Sequence, residues 1–149
     1  MSRRKGRITA FQALYSWDVS KASIDDLLTF SWLQKDDEIA QENVEQPSEN
    51  AREERTFASL IISGTIEHID EIDKIIESHL SASWKIDRLN KVALAILRIG
   101  TYEIKYQSNV SAKIIIDEAV NIAKDYGTDD SYKFINAVLD KIGKDEVDK

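Results

Sequence analysis

The stretch RLNKVALAILRIGTYEIKY, Arg88 to Tyr106, decides the fold. Leu89, Val92, Ile96, Leu97 and Ile104 return at the three- and four-residue steps of one helix face. The spacing predicts a helix over about 88–106 with these residues turned inward. A buried helix of this kind needs other helices to cover it.

They follow on both sides. Downstream, Gln107 to Ser111 reads as a turn and Ala112 to Tyr126 as a helix. Ile114, Ile115 and Ile116 are β-branched but lie inside that longer pattern. Gly127 stands where a left-handed C-cap belongs. Asp129 or Asp130 is expected to cap a last helix that buries Phe134, Val138, Leu139 and Ile142. Upstream, Ala51 to Leu80 carries a long helical pattern, predicted to break near His68 or Asp70, and Gly64 marks a close helix crossing. Further back, Ser23 reads as an N-cap, with Asp26 placed as in a capping box, for a helix bearing Leu27, Leu28, Phe30 and Trp32. The first helix is expected from about Gly6 to Val19, with Ile8, Phe11, Leu14 and Tyr15 on one stripe. No strand emerges. Five Gly and one Pro are few for 149 residues, which also favours helices over a turn-rich sheet. The expected architecture is all-α, about seven helices, without internal repeats.

The length suits one domain, 1–149, with a basic arm at 1–7 and an acidic polar loop at about 35–50 that holds Pro47. A hydrophobic content of 42% against 32% charged residues is the balance of a chain with a real core. No apolar run approaches the roughly 18 residues of a membrane span, and no apolar signal core follows the basic start. Cysteine is absent, which excludes disulfides and thiolate metal sites. A cytoplasmic protein is the simplest expectation.

Charge is unevenly spread. Arg3, Arg4, Lys5 and Arg7 place four positive charges in the first seven residues, so the remainder carries −11 of a net −7. Phosphate responds to local potential rather than to net charge, so a basic arm on an acidic body can hold RNA. A solvated, frayed terminus would look the same.

Catalytic and cofactor patterns are missing. The chain has no glycine-rich phosphate loop and no His-x-x-x-His. His68 and His79 are too isolated for zinc. Asp70, Glu71 and Asp73 lack the glycine that a cation-binding loop needs. No serine has an elbow or a partner histidine. No metal, nucleotide or enzyme activity is expected.

Two arrangements stand out instead. One is the basic arm leading into a helix with Gln12, Tyr15 and Trp17. The other is Asp130-Ser131-Tyr132-Lys133-Phe134 at the start of the last helix. Cations beside aromatics suit single-stranded RNA, because phosphates take the charge and unstacked bases take the ring faces. Periodicity alone equally allows Tyr15, Trp17 and Phe134 to be core.

The same segments carry a resemblance. Ala13-Leu14-Tyr15-Ser16-Trp17, after a basic arm and Gln12, resembles the opening of NusB proteins. Ile96-Leu97-Arg98-Ile99-Gly100-Thr101-Tyr102-Glu103 resembles their central LR-x-x-x-YE segment. Asp117-Glu118-Ala119-Val120 with Ala123-Lys124 is similar to their NEA…AK helix. Asp130-Ser131, Lys133-Phe134, Asn136 and Val138-Leu139-Asp140-Lys141-Ile142 resemble their closing signature. The four motifs come in family order over nearly the whole chain. Departures are Ser111 for a frequent Pro, Asp117 for Asn, Ala137 for a common Gly, and Ala93-Leu94 where relatives often show an acidic-basic pair.

The resemblance implies a compact all-helical fold of two helical subdomains and a role without catalysis. NusB proteins bind the boxA element of nascent ribosomal-RNA leaders together with NusE, a small-subunit ribosomal protein. The pair joins a complex that keeps RNA polymerase elongating through terminators. By resemblance, Arg3, Arg4, Lys5 and Arg7 are expected on phosphates, the arm being mobile without RNA. Gln12, Tyr15, Lys133 and Phe134 are expected near bases or adjoining backbone. Asp130 is expected to cap the last helix while repelling phosphate. The helix with Arg98, Tyr102 and Glu103 is expected to face NusE; the competing reading has Arg98 or Tyr102 internal, with Arg98 bridging helices. Monomer and homodimer both remain open. The alternatives are a helical protein–protein module without RNA, or a stand-alone relative of the N-terminal domain of ribosomal-RNA methyltransferases.

Overall fold

The computed structural model describes residues 3–30, 49–81, 85–107 and 109–147. Among them are seven α-helices and one short 3-10 turn, with no strand. The helices are α1 (Arg3–Val19), α2 (Ile24–Thr29), α3 (Glu49–Glu67), α4 (Ile69–Ser78), α5 (Lys91–Tyr106), α6 (Ala112–Tyr126) and α7 (Ser131–Val147), and the 3-10 turn is Ile86–Arg88. The expected all-α architecture is the one found.

Local chemistry sets most of the ends. Ser23 Oγ accepts the Asp26 N–H at 3.1 Å and opens α2. Asn90 Oδ1 accepts the N–H groups of Val92 and Ala93 at 2.9 and 3.2 Å. The central helix therefore starts at Lys91, after the separate turn Ile86–Arg88, and not at Arg88. Ser111 Oγ does the same for Ile114 at 3.3 Å. The long pattern between 51 and 80 breaks at His68, which stands between α3 and α4.

The chain divides into two compact units, Met1–Ser63 and Gly64–Lys149. In the first, Phe11, Leu14, Leu27, Phe30, Ile61 and Ile62 are buried. In the second, α5 packs against α4, α6 and α7. Every residue from Ala93 to Glu103 is buried. A helix covered on all sides is a central helix, which is why α5 shows no long polar face.

Several details differ from the sequence reading. α1 begins at Arg3 rather than Gly6, so the basic residues are helical. Gly127 ends α6 with an extended backbone, φ −92° and ψ −178°, and not in the left-handed region. Glycine is needed there for space: a Cβ would collide with Ser131 Oγ and lie 2.8 Å from the Ala123 carbonyl oxygen. Gly64 does mark a close crossing, because a Cβ there would overlap the ring of Tyr102. Leu60, part of the apolar pattern, is 60% exposed. Trp32 and the acidic loop at 35–48 lie outside the described residues, while Glu49 and Asn50 open α3.

Candidate functional site

The predicted RNA residues fall on two separate elements, the front of α1 in the first unit and the front of α7 in the second.

On α1, a helix of 3.6 residues per turn rotates about 100° per residue. Arg4, Lys5, Gln12 and Tyr15 then share one sector of about 100°, and Arg3 and Arg7 occupy another. The contacts follow this division. The guanidiniums of Arg3 and Arg7 lie 4.9 and 5.4 Å from the centre of the Phe57 ring on α3. Arg7 is only 4% exposed, whereas Arg3, Arg4 and Lys5 are exposed. Tyr15, placed on an inward stripe by spacing, is 37% exposed and takes the same sector as Arg4. Gln12 and Trp17 are half-buried. The exposed sector therefore joins two cations, an amide and a phenol ring, the components that phosphate and an unstacked base require.

At the front of α7, Asp130 precedes the first turn and its carbonyl accepts the Lys133 N–H at 3.2 Å. Its carboxylate and the Lys133 ammonium approach to 3.8 Å, both largely exposed. Such a pair contributes roughly 0–1 kcal/mol and yields readily to a stronger anion. The Tyr132 ring has two ammoniums near its centre, Lys124 at 5.1 Å and Lys133 at 5.9 Å. Phe134 is half-buried and borders a groove of about 480 Å³ lined also by Leu80, Leu89, Ala93 and Val138. Part of its ring is therefore open to a flat ligand.

The predicted partner residues sit deeper. Arg98 is 7%, Tyr102 8% and Glu103 2% exposed. Arg98 bridges helices, with Nε and Nη2 bonding the two carboxylate oxygens of Asp73 on α4, both at 2.9 Å. Tyr102 accepts a bond from Gln107 Nε2 at 3.2 Å and lies 5.4 Å from the Tyr106 ring. Around Tyr106 a polar cluster forms. Its hydroxyl donates to Glu71 at 2.6 Å, its ring stacks on His68 at 4.3 Å, and Lys105 reaches Glu71 and Glu146 at 3.4 and 3.3 Å. Burial, and then the Glu71 carboxylate, push the Tyr106 phenol up to about 12. The Tyr106 hydrogen bond holds the Glu71 carboxyl below the usual range.

Sequence reasoning missed Phe57, which reads there as one more apolar residue of α3. It placed Lys124 only in the family motif, and it grouped Tyr132 with Lys133 and Phe134 without assigning the Tyr132 ring a contact. Alternation of cation and ring within one helix start was the available signal for Tyr132.

Comparison with known proteins follows the same lines. Residues 4–144 match the family described as "NusB family". The transcription antitermination protein NusB of Treponema denticola is 52% identical over 95% of this chain and 96% of its own. That of Borreliella burgdorferi is 39% identical over 93% and 91%. Among solved structures, NusB of T. maritima superposes with a TM-score of 0.78 at 30% identity, covering 98% of this chain and 93% of that one. A NusB structure described as antitermination factors NusB and NusE in complex with dsRNA gives 0.76 at 30% identity, covering 96% of each. Among the described residues, no helix is long and apolar enough to cross a membrane.

Proposed function

The chain belongs to the NusB family, and from that premise we propose that it is a transcription antitermination factor that binds boxA-like RNA together with NusE. The observation that carries this reading is the likeness, over 96% of the chain, to a NusB solved with NusE and RNA. The role is non-catalytic and cytoplasmic, within an RNA polymerase complex that reads through terminators.

In this reading Arg3, Arg4 and Lys5 contact phosphates, and Arg7 supports them from beneath. Gln12 and Tyr15 continue the contact along α1. Lys133 takes a phosphate at the front of α7, while Phe134 offers a ring to a base. Asp130 opposes both phosphate and release of Lys133, which tempers affinity. Arg98, Tyr102 and Glu103 serve NusE by shaping α5 and the elements around it, because so little of their own surface is exposed.

A titration of the chain with single-stranded boxA-like RNA and with duplex RNA, with and without NusE and at two salt concentrations, tests this. Binding is expected to strengthen with NusE and to favour the single strand. Replacing Arg3, Arg4 and Lys5 with Gln is expected to weaken all RNAs and to lower the salt slope by about 0.7 for each phosphate no longer neutralised. Unchanged affinity and slope in that variant would remove the arm from the site.

A further inference from the structure

The first turn of α1 is an unusual place for three cations. The N-terminal end of a helix carries partial positive charge, so Arg3, Arg4 and Lys5 repel it, and no acidic residue in that turn compensates. The turn is nevertheless helical from Arg3 onward. Two contacts on α3 support it. The Phe57 ring lies against the guanidiniums of Arg3 and Arg7 at 4.9 and 5.4 Å, inside the range at which a ring face attracts a cation. Between these arginines, Gly6 rests on the same ring: a Cβ there would stand 2.6 Å from Phe57 Cδ2 and 3.3 Å from the Glu54 carbonyl oxygen.

We propose that Phe57 is a positioning residue for RNA binding: its ring holds Arg3 and Arg7, and thereby fixes the first turn of α1 so that Arg4 and Lys5 stand as an ordered cationic face toward phosphate. The inference rests on the RNA reading above. It replaces the expected mobile arm with a pre-ordered one, which binds without the entropy loss of ordering a tail. Arg7, 4% exposed, belongs to the support rather than to the contact surface. Phe57 itself touches no RNA in this scheme.

The test compares the whole chain with Phe57→Leu, which keeps apolar volume and removes the ring face, and with Phe57→Tyr, which keeps the ring. Binding is read by anisotropy of a labelled single-stranded boxA-like oligonucleotide at two salt concentrations. Phe57→Leu is expected to weaken binding about five- to tenfold and flatten the salt slope. Phe57→Tyr is expected to stay within twofold of the unsubstituted chain. A structural role alone would not separate these variants at equal melting temperature. Hydrogen exchange supplies a reading that needs no variant. The amides of Arg7 and Ile8, which bond back one turn in a helix, are expected to be protected in the free protein, and free exchange there overturns the inference. So does Phe57→Leu binding as tightly as the unsubstituted chain, or Phe57→Tyr weakening as much as Phe57→Leu. An unsubstituted chain that binds no RNA overturns the RNA reading and this inference together; an unchanged Phe57→Leu against a binding parent overturns this inference alone.

Discussion

Arg98 on α5 grips Asp73 on α4 through two parallel bonds, Nε to Oδ1 and Nη2 to Oδ2, each 2.9 Å long. The guanidinium side chain is 9% exposed and the carboxylate 26%. A forked pair with one partner so well covered fixes orientation as well as charge, and no lysine can reproduce both bonds.

Removing the carboxylate should therefore cost more than removing an exposed ion pair. Asp73→Ala leaves a covered charge without its fork, and a loss of about 2–3 kcal/mol is expected, below the range for a fully buried pair because Asp73 is partly solvated. Arg98→Lys should cost about 1–2 kcal/mol. Urea melts measure both. A loss under about 0.5 kcal/mol in Asp73→Ala would show that the pair does not hold α4 on α5.

Alkaline pH should loosen the Tyr106 cluster. Tyr106 ionises near 12 in the fold against about 10 in an open chain, so the folded state holds the proton more tightly. Its contribution is complete below about 10 and disappears as pH rises toward 12. Lys105 acts in the same direction: burial lowers its pKa, but bonds to Glu146 and Glu71 outweigh that and raise it. Glu71 has the opposite sign, with a contribution present above the usual 4.5 and lost as pH falls below it. Ultraviolet titration of the tyrosinates should show a late ionisation that moves down in Glu71→Gln. Absence of any ionisation later than about pH 10 would contradict the Tyr106–Glu71 bond.

At the front of α7, Asp130→Asn should tighten RNA binding a few-fold. It removes a carboxylate facing phosphate and releases Lys133, now 3.8 Å away. The expected side-chain cap from Asp130 is not among its contacts, which are the Lys133 ammonium and, through its backbone carbonyl, the Lys133 N–H; asparagine keeps that carbonyl, so α7 should not fray. Weaker binding at unchanged melting temperature would mean that the carboxylate itself contacts RNA.

Phe134→Ala should cost on the order of 1–3 kcal/mol of RNA affinity with little change in salt slope, the mark of a missing stacking ring rather than a missing charge. Because the ring is only half-buried, the fold should survive with a modest drop in melting temperature. A large drop with unaltered RNA affinity below the transition would make Phe134 a core residue only.

Much of the fold is legible in the chain because helical periodicity is local. The spacing of Ile96 and Leu97, the Ser23 cap and the small residue at Gly64 each act through neighbours within a turn or through one crossing. What stays hidden depends on distant partners. Arg98 reads equally as partner surface and as internal bridge until Asp73, 25 residues earlier, is seen to take its charge. Glu103 reads as part of a NusE-facing surface, yet it is 2% exposed. Phe57 reads as core until two arginines on another helix settle on its ring. Gly127 marks the expected boundary for a different reason, since steric room and not backbone handedness requires it. The basic start of α1 is legible as charge, but its order is not.

The six residues of α2 have a consequence in time rather than in space. Helices below about 12–15 residues are marginal alone, because nucleation costs more than so few bonds return. α2 is held at its front by Ser23 and at its back by Phe30, whose left-handed backbone at φ 57° is strained for an aromatic residue. That conformation is tolerable only once the ring is buried, at 5% exposure, with the Arg55 guanidinium of α3 at 6.0 Å. α2 is therefore expected to form late in refolding, condensing onto the surface that α1 and α3 supply, and a stopped-flow refolding series with Leu27→Ala would show it as an unchanged folding rate and a faster unfolding rate. The same order run backwards should make α2 the part of the first unit to come undone soonest, ahead of any global unfolding.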